Sequence, residues 1–118
     1  MRGTGHGRVL DEGAIMKYVI TWKPRFGGSA AENEASAARA LEVYSKWTPS
    51  PDTIIHQFVV RADGEGGFAV VEGDDLAAGA LGIFKLSPYL EYTTYPVLDM
   101  EEAIDLFAEA VEWRKSIT

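Results

Sequence analysis

The chain has 118 residues, no cysteine, and eighteen acidic against eleven basic residues, for a formal charge of −7. That length suits one domain with a single core, and the lack of cysteine excludes disulfides, thiolate metal sites and cysteine nucleophiles. The acidic balance repels phosphate backbones and acidic lipid surfaces, and the short pairs Lys23/Arg25 and Arg114/Lys115 do not reverse it, so neither nucleic acid nor a membrane is expected as a partner.

No apolar run reaches the roughly 18 residues of a membrane span, and the N-terminus lacks a signal-peptide core, so a cytoplasmic protein is the simplest expectation. Five Phe, five Tyr and three Trp within 47% apolar residues supply ample core material. Residues 1–15 hold four glycines and no periodicity, and are expected to form a flexible leader ahead of a domain over 16–118. A second methionine, Met16, stands directly before the first strand pattern.

Met16 to Lys23 is rich in β-branched and aromatic residues on both alternating sets, which predicts a central strand. Gly27-Gly28 breaks that pattern, and an alanine-rich helix is predicted from Ala30 to about Trp47, its inward stripe being Ala37, Ala40, Leu41, Tyr44 and Trp47. Thr48-Pro49-Ser50-Pro51 ends it, because proline lacks the amide and disfavours helix in the residue before it. Thr53 to Arg61 and Gly67 to Glu72 read as two strands paired antiparallel through Ala62-Asp63-Gly64-Glu65-Gly66, whose glycines allow positive φ.

At Asp74-Asp75 the second of these strands gives way to a helix over Leu76 to Phe84, with apolar positions Ala77, Ala80, Leu81 and Phe84 three or four apart. Ser87-Pro88 stops it, and Tyr89 to Leu98 is a strand placed at a sheet edge by Pro96. Asp99 with Glu102 predicts a capping box for a last helix to about Ile117. That helix carries two apolar stripes, Ala103/Ile104/Phe107/Val111 and Leu106/Trp113/Ile117, and so calls for two partners.

Strand, helix, strand, strand, helix, strand, helix is an α+β order. With right-handed crossovers its first six elements give the ferredoxin-like βαββαβ arrangement, a four-stranded antiparallel sheet with both helices on one face, plus an additional C-terminal helix. The other face is left bare. If Val19, Ile55, Val59 and Val71 lie there, a second copy should cover them, with the last helix helping at the seam.

These segments resemble a known group. Met16-Lys17-Tyr18-Val19-Ile20-Thr21-Trp22, the strand ending Val70-Val71-Glu72, the Asp74-Asp75 helix start with Ala78, and Ser87-Pro88 before the last strand look like the dimeric α/β-barrel superfamily. Antibiotic-biosynthesis monooxygenases, stress-responsive barrel proteins, muconolactone isomerase and chlorite dismutase are among its members. The stretch Pro96-Val97-Leu98-Asp99-Met100-Glu101-Glu102-Ala103 is more similar to a small family within it of unassigned function. The resemblance covers about Met16 to Ile117 and implies a homodimer that binds small molecules between sheet and helices.

The chain departs from the group where chemistry usually sits. Many members carry a histidine before the Ser-Pro turn, whereas Phe84 and Lys85 stand here, so metal binding or catalysis through that residue is not implied. The asparagine, tryptophan and tyrosine set of the quinol monooxygenases is missing, Asn33 being the sole asparagine, and the haem ligand of chlorite dismutase is missing too. No cofactor and no metal are expected.

Two histidines remain. His6 lies in the leader; His56 falls in the strand set Ile54/His56/Phe58/Val60, an apolar face turned toward core or cavity. It is either a buried, hydrogen-bonded histidine or the general acid-base of a pocket, with Glu72 as a carboxylate partner if the strands bring them together. Tyr18, Trp22, Tyr44, Phe58 and Tyr92 are the candidate ligand-binding residues, drawn from a wider aromatic set with Trp47, Tyr89 and Tyr95. Lys23 to Gly28 precedes a helix N-terminus, where amides could hold an anion, but matches no phosphate-loop spacing.

Two functions remain open at this point. One is a homodimeric small-molecule-binding barrel, which includes a cofactor-independent enzyme acting through His56 on an aromatic or polyketide-like compound. The alternative is a non-catalytic metabolite-sensing or assembly dimer.

Overall fold

The computed structural model describes residues 15–117. The leader expected over 1–15, with His6, therefore lies outside the described residues except for Ile15. The elements are β1 (Met16–Pro24), α1 (Ala30–Ser45), β2 (Ile54–Val60), β3 (Gly67–Gly73), α2 (Leu76–Phe84), β4 (Leu90–Val97) and α3 (Met100–Lys115). The strands form one antiparallel sheet in the order β2-β3-β1-β4, consistent with a ferredoxin-like protomer. β1 is central and the proline-bearing β4 is an edge, as their sequences require.

Register divides the sheet into two faces. Tyr18, Ile20 and Trp22 stand opposite Val71, Ala69 and Gly67 of β3, and opposite Pro96, Thr94 and Tyr92 of β4. This set faces the helices. Lys17, Val19 and Thr21, opposite Glu72, Val70 and Phe68, point the other way by strand alternation.

β2 carries a bulge between Ile55 and Gln57, with His56 as its extra residue. Before and after the bulge, Ile55, Phe58 and Val60 pair with Val71, Ala69 and Gly67 on the helix face, whereas Ile54 and Val59 pair with Glu72 and Phe68 on the open face. Two expectations are corrected by this register. Ile55 and Val71 belong to the helix side and not to the bare face, which keeps Val19 and Val59; and the set Ile54/His56/Phe58/Val60 does not share a face, because the bulge interrupts its alternation.

The hairpin between β2 and β3 uses Gly64 at φ 76° and Gly66 at φ 149°, the positive values its glycines were expected to supply. A Cβ on Gly66 would collide with the Trp22 carbonyl, and one on Gly67 with the Trp22 indole. Gly66 is thus required by close approach as well as by the turn, and Gly67 by close approach.

The helices are capped in three different ways. Ser29 and Glu32 make a reciprocal capping box on α1, the Ser29 hydroxyl accepting from Glu32 N at 3.1 Å and the Glu32 carboxylate from Ser29 N at 2.8 Å. Asp75 caps α2 by accepting from Ala78 N at 3.0 Å. Asp99 occupies the N-cap of α3 but makes no side-chain cap bond; its carboxylate instead accepts from Lys17 Nζ at 2.7 Å. The expected Asp99–Glu102 box is corrected accordingly.

Packing is concentrated between the sheet and the first two helices, where Ala69 and Leu86 are buried at 7% and 5% exposure. The inward side of α2 carries Ala80 and Ile83, while Leu81 and Phe84, from the apolar positions read in the sequence, are exposed. No residue of α3 is buried, and Met100, Ile104, Phe107 and Trp113 are all more than half exposed. On the open face, Ile54, Val59, Phe68 and Tyr95 are exposed as well. No helix among the described residues is long and apolar enough to cross a membrane.

Candidate functional site

Between the helix face of the sheet and α1 and α2 lies a cleft of about 930 Å³. Its size lies within the range of small-molecule sites, and most of its wall is apolar. β1 contributes Tyr18, Ile20 and Trp22, because alternation sends every second residue inward. α1 adds Ala40, Leu41 and Tyr44 at helical spacing, followed by Trp47 just beyond its end.

Four rings meet at one end of this cleft. Phe58 lies 5.2 Å from Trp22 at an interplanar angle of 75°, 6.2 Å from Tyr44 at 69°, and 6.3 Å from Trp47 at 60°. Tyr44 and Trp47 are themselves stacked at 6.0 Å and 16°. Edge-to-face and offset contacts at these separations are the favoured aromatic geometries. Trp47 is held by donation from its Nε1 to the Gly82 carbonyl at 3.0 Å, which joins the end of α1 to α2.

All five candidate ligand-binding residues, Tyr18, Trp22, Tyr44, Phe58 and Tyr92, line the cleft. Tyr92 is the partner of Trp22 across β1 and β4, and burial pushes its phenol up to about 12, so it stays protonated and able to donate. Tyr89 and Tyr95, from the wider aromatic set, do not line it. Tyr95 pairs with Val19 on the open face, and Tyr89 sits in the turn before β4 with its amide on the Leu86 carbonyl.

His56 is also outside the cleft lining. Its Nε2 lies 2.5 Å from the carboxylate of Glu72, the partner weighed for it from sequence, which stands with the open-face set by register and borders the end of the cleft. Glu72 is in register with Lys17, and Lys17 reaches Asp99, so His56, Glu72, Lys17 and Asp99 form a polar row across three strands to the start of α3. The hydrogen bond to Asp99 raises the Lys17 pKa, outweighing desolvation, and the charges of Asp99 and Glu72 add to the rise. Sequence alternation misplaced His56 because nothing in Ile54 to Val60 marks the bulge.

The loop before α1 does not leave its amides free for an anion. Gly28 N donates to Asn33 Oδ1 at 3.1 Å and Ser29 N to Glu32. Arg25 is likewise engaged, donating from Nε to the carbonyls of Ser87 at 2.8 Å and Leu90 at 3.1 Å. Among the described residues no group of three or more His, Asp or Glu side chains is placed to hold a metal ion.

No curated protein matches the chain. A family model described as a domain of unknown function, DUF3303, matches residues 16–111, from the first residue of β1 into the last turns of α3. With more than three quarters of its length matched, the chain belongs to the DUF3303 family.

Proposed function

We propose that the chain is a homodimeric small-molecule-binding protein of the α/β-barrel type, whose cleft takes a planar apolar compound. The observation that carries this reading is the cleft itself: about 930 Å³, walled by Tyr18, Trp22, Tyr44, Phe58 and Tyr92 and open on one side. Flat rings with polar edges bind planar ligands by stacking, and the phenols orient them.

The homodimer rests on two unpartnered apolar surfaces in the same protomer, the open sheet face with Ile54, Val59 and Phe68, and α3 with Ile104, Phe107 and Trp113. Soluble monomers rarely expose such contiguous apolar area, and a symmetric pair would cover both kinds of surface at once. A 16-residue helix without packing is also marginal in water, so α3 needs a partner to persist.

The position of His56 bears on turnover. With its ring paired to Glu72, His56 is not in the cleft wall, and among the described residues the cleft has no acid-base histidine, which favours metabolite sensing over a cofactor-independent enzyme. The test is a titration of the protein with a neutral naphthalene, followed by quenching of Trp22 and Trp47 fluorescence. Saturable quenching that weakens in Phe58→Ala supports the cleft; a linear response, identical in wild type and Phe58→Ala, refutes it.

A further inference from the structure

The cleft carries a charge pattern as well as a shape. Among the described residues its lining includes no lysine, arginine or histidine. Carboxylates stand at one end, where β3 gives way to α2: Glu72, Asp74 and Asp75 all border the cavity, Glu72 being engaged with His56. Asp74 is exposed and makes no ion pair or hydrogen bond among the described residues.

Helix N-termini near a pocket usually supply its anion seats. Among the described residues only the N-terminus of α2 borders this cavity, and it is answered from within the chain, the Asp75 carboxylate accepting from Ala78 N. An incoming carboxylate or phosphate would meet negative charge at this end and an uncharged aromatic wall elsewhere. A cation would meet the opposite: carboxylates at one end, and a wall that includes the aromatic rings of Trp22, Tyr44, Trp47 and Phe58.

We propose that the cleft selects organic cations, planar apolar bodies bearing a protonated amine, and rejects anions of the same shape. This rests on the cleft reading of the preceding section and adds the charge of its ligand. Partial exclusion of water strengthens both effects, since Coulomb interactions grow as the effective dielectric falls.

The test uses three probes of one shape on the full chain at pH 7: 2-naphthylmethylamine, 2-methylnaphthalene and 2-naphthoate, each titrated by tryptophan fluorescence and calorimetry. The amine is expected to bind about tenfold or more tightly than the carboxylate, with the neutral compound between them. The gap should narrow in the double variant Asp74→Asn/Asp75→Asn, in which the side-chain amide oxygen at the α2 N-cap still accepts the capping hydrogen bond, and should narrow in wild type as salt is raised. Equal or tighter binding of naphthoate overturns the charge selection while leaving the cleft reading in place. Binding of none of the three overturns the cleft reading and this inference together.

Discussion

The indole of Trp22 lies over Gly67 and meets the edge of Phe58 at 5.2 Å and 75°, so the smallest residue of β3 makes room for the largest of β1. Gly67 under the Trp22 indole and Ala69 opposite Phe58 form the floor beneath these two rings. Two substitutions probe this arrangement. Phe58→Ala removes the ring common to three contacts and should cost roughly 1–3 kcal/mol in chemical denaturation, less than a fully buried Phe because the site is partly open. Gly67→Ala should displace the Trp22 indole and shift its emission, since an added Cβ has no space between that ring and the Val59 carbonyl. Unchanged emission in Gly67→Ala would contradict the described floor.

His56 separates binding from turnover. Because its ring lies outside the cleft lining, His56→Ala should leave the affinity for a neutral naphthalene within about twofold of wild type. Its effect on stability should be small, as expected of a partly exposed ion pair. A large loss of affinity in His56→Ala, with Tyr95→Ala unaffected, would bring the histidine back to the site.

The two ends of the helical layer are capped by different means and should respond differently. Ser29→Ala removes a reciprocal cap and should cost about 1 kcal/mol. Hydrogen bonds from Ser29 hold the Glu32 carboxyl below its ordinary value, so their contribution is complete above the ordinary Glu range and fades as pH falls through the lowered value. Ser29→Ala keeps the backbone N–H, the larger of the two contributions, so the acid limb of a melting profile should flatten only in part. Asp99→Ala, by contrast, should act through Lys17, with a salt-dependent effect that Lys17→Met abolishes.

Alkaline destabilisation has two named sources. Lys17 has a raised pKa, so the stability its charge brings is complete below the ordinary lysine value near 10.5 and is lost as pH climbs through the raised one. Tyr92 is pushed up to about 12 by burial, so the unfolded chain ionises first and stability falls from about pH 10 toward 12. Ultraviolet titration should show one tyrosine ionising near 12, absent in Tyr92→Phe. Five tyrosines titrating together near 10 would contradict the buried placement.

Much of this fold is legible in the sequence, for identifiable reasons. The β-branched run from Met16, the glycine hairpin at Gly64 and Gly66, the proline on the edge strand and the Asp75 cap each act locally, so their residue types suffice. The Ser29-x-x-Glu32 box is local in the same way, although the two glycines before it obscure where the helix starts. What escapes a sequence reading depends on relations between distant segments. The bulge at His56 is set by pairing with β3, and it moves Ile55 to the helix side. Asp99 has the chemistry of a cap, but Lys17, brought beside it by the β1–β4 pairing, is the stronger partner. Tyr18, Trp22 and Tyr92 are legible because side-chain alternation along β1 and β4 is undisturbed by any bulge, and Tyr44 because it falls on the inward stripe of α1.

Native mass spectrometry of the full chain, under gentle and then dissociating conditions, tests the central claim of a ligand-binding homodimer most directly. Wild type should appear at twice the protomer mass and retain a bound naphthylmethylamine that is shed on activation, and Phe107→Glu on α3 should shift the population toward protomers. A wild-type spectrum of bare protomers at every concentration, with no retained probe, would contradict the account.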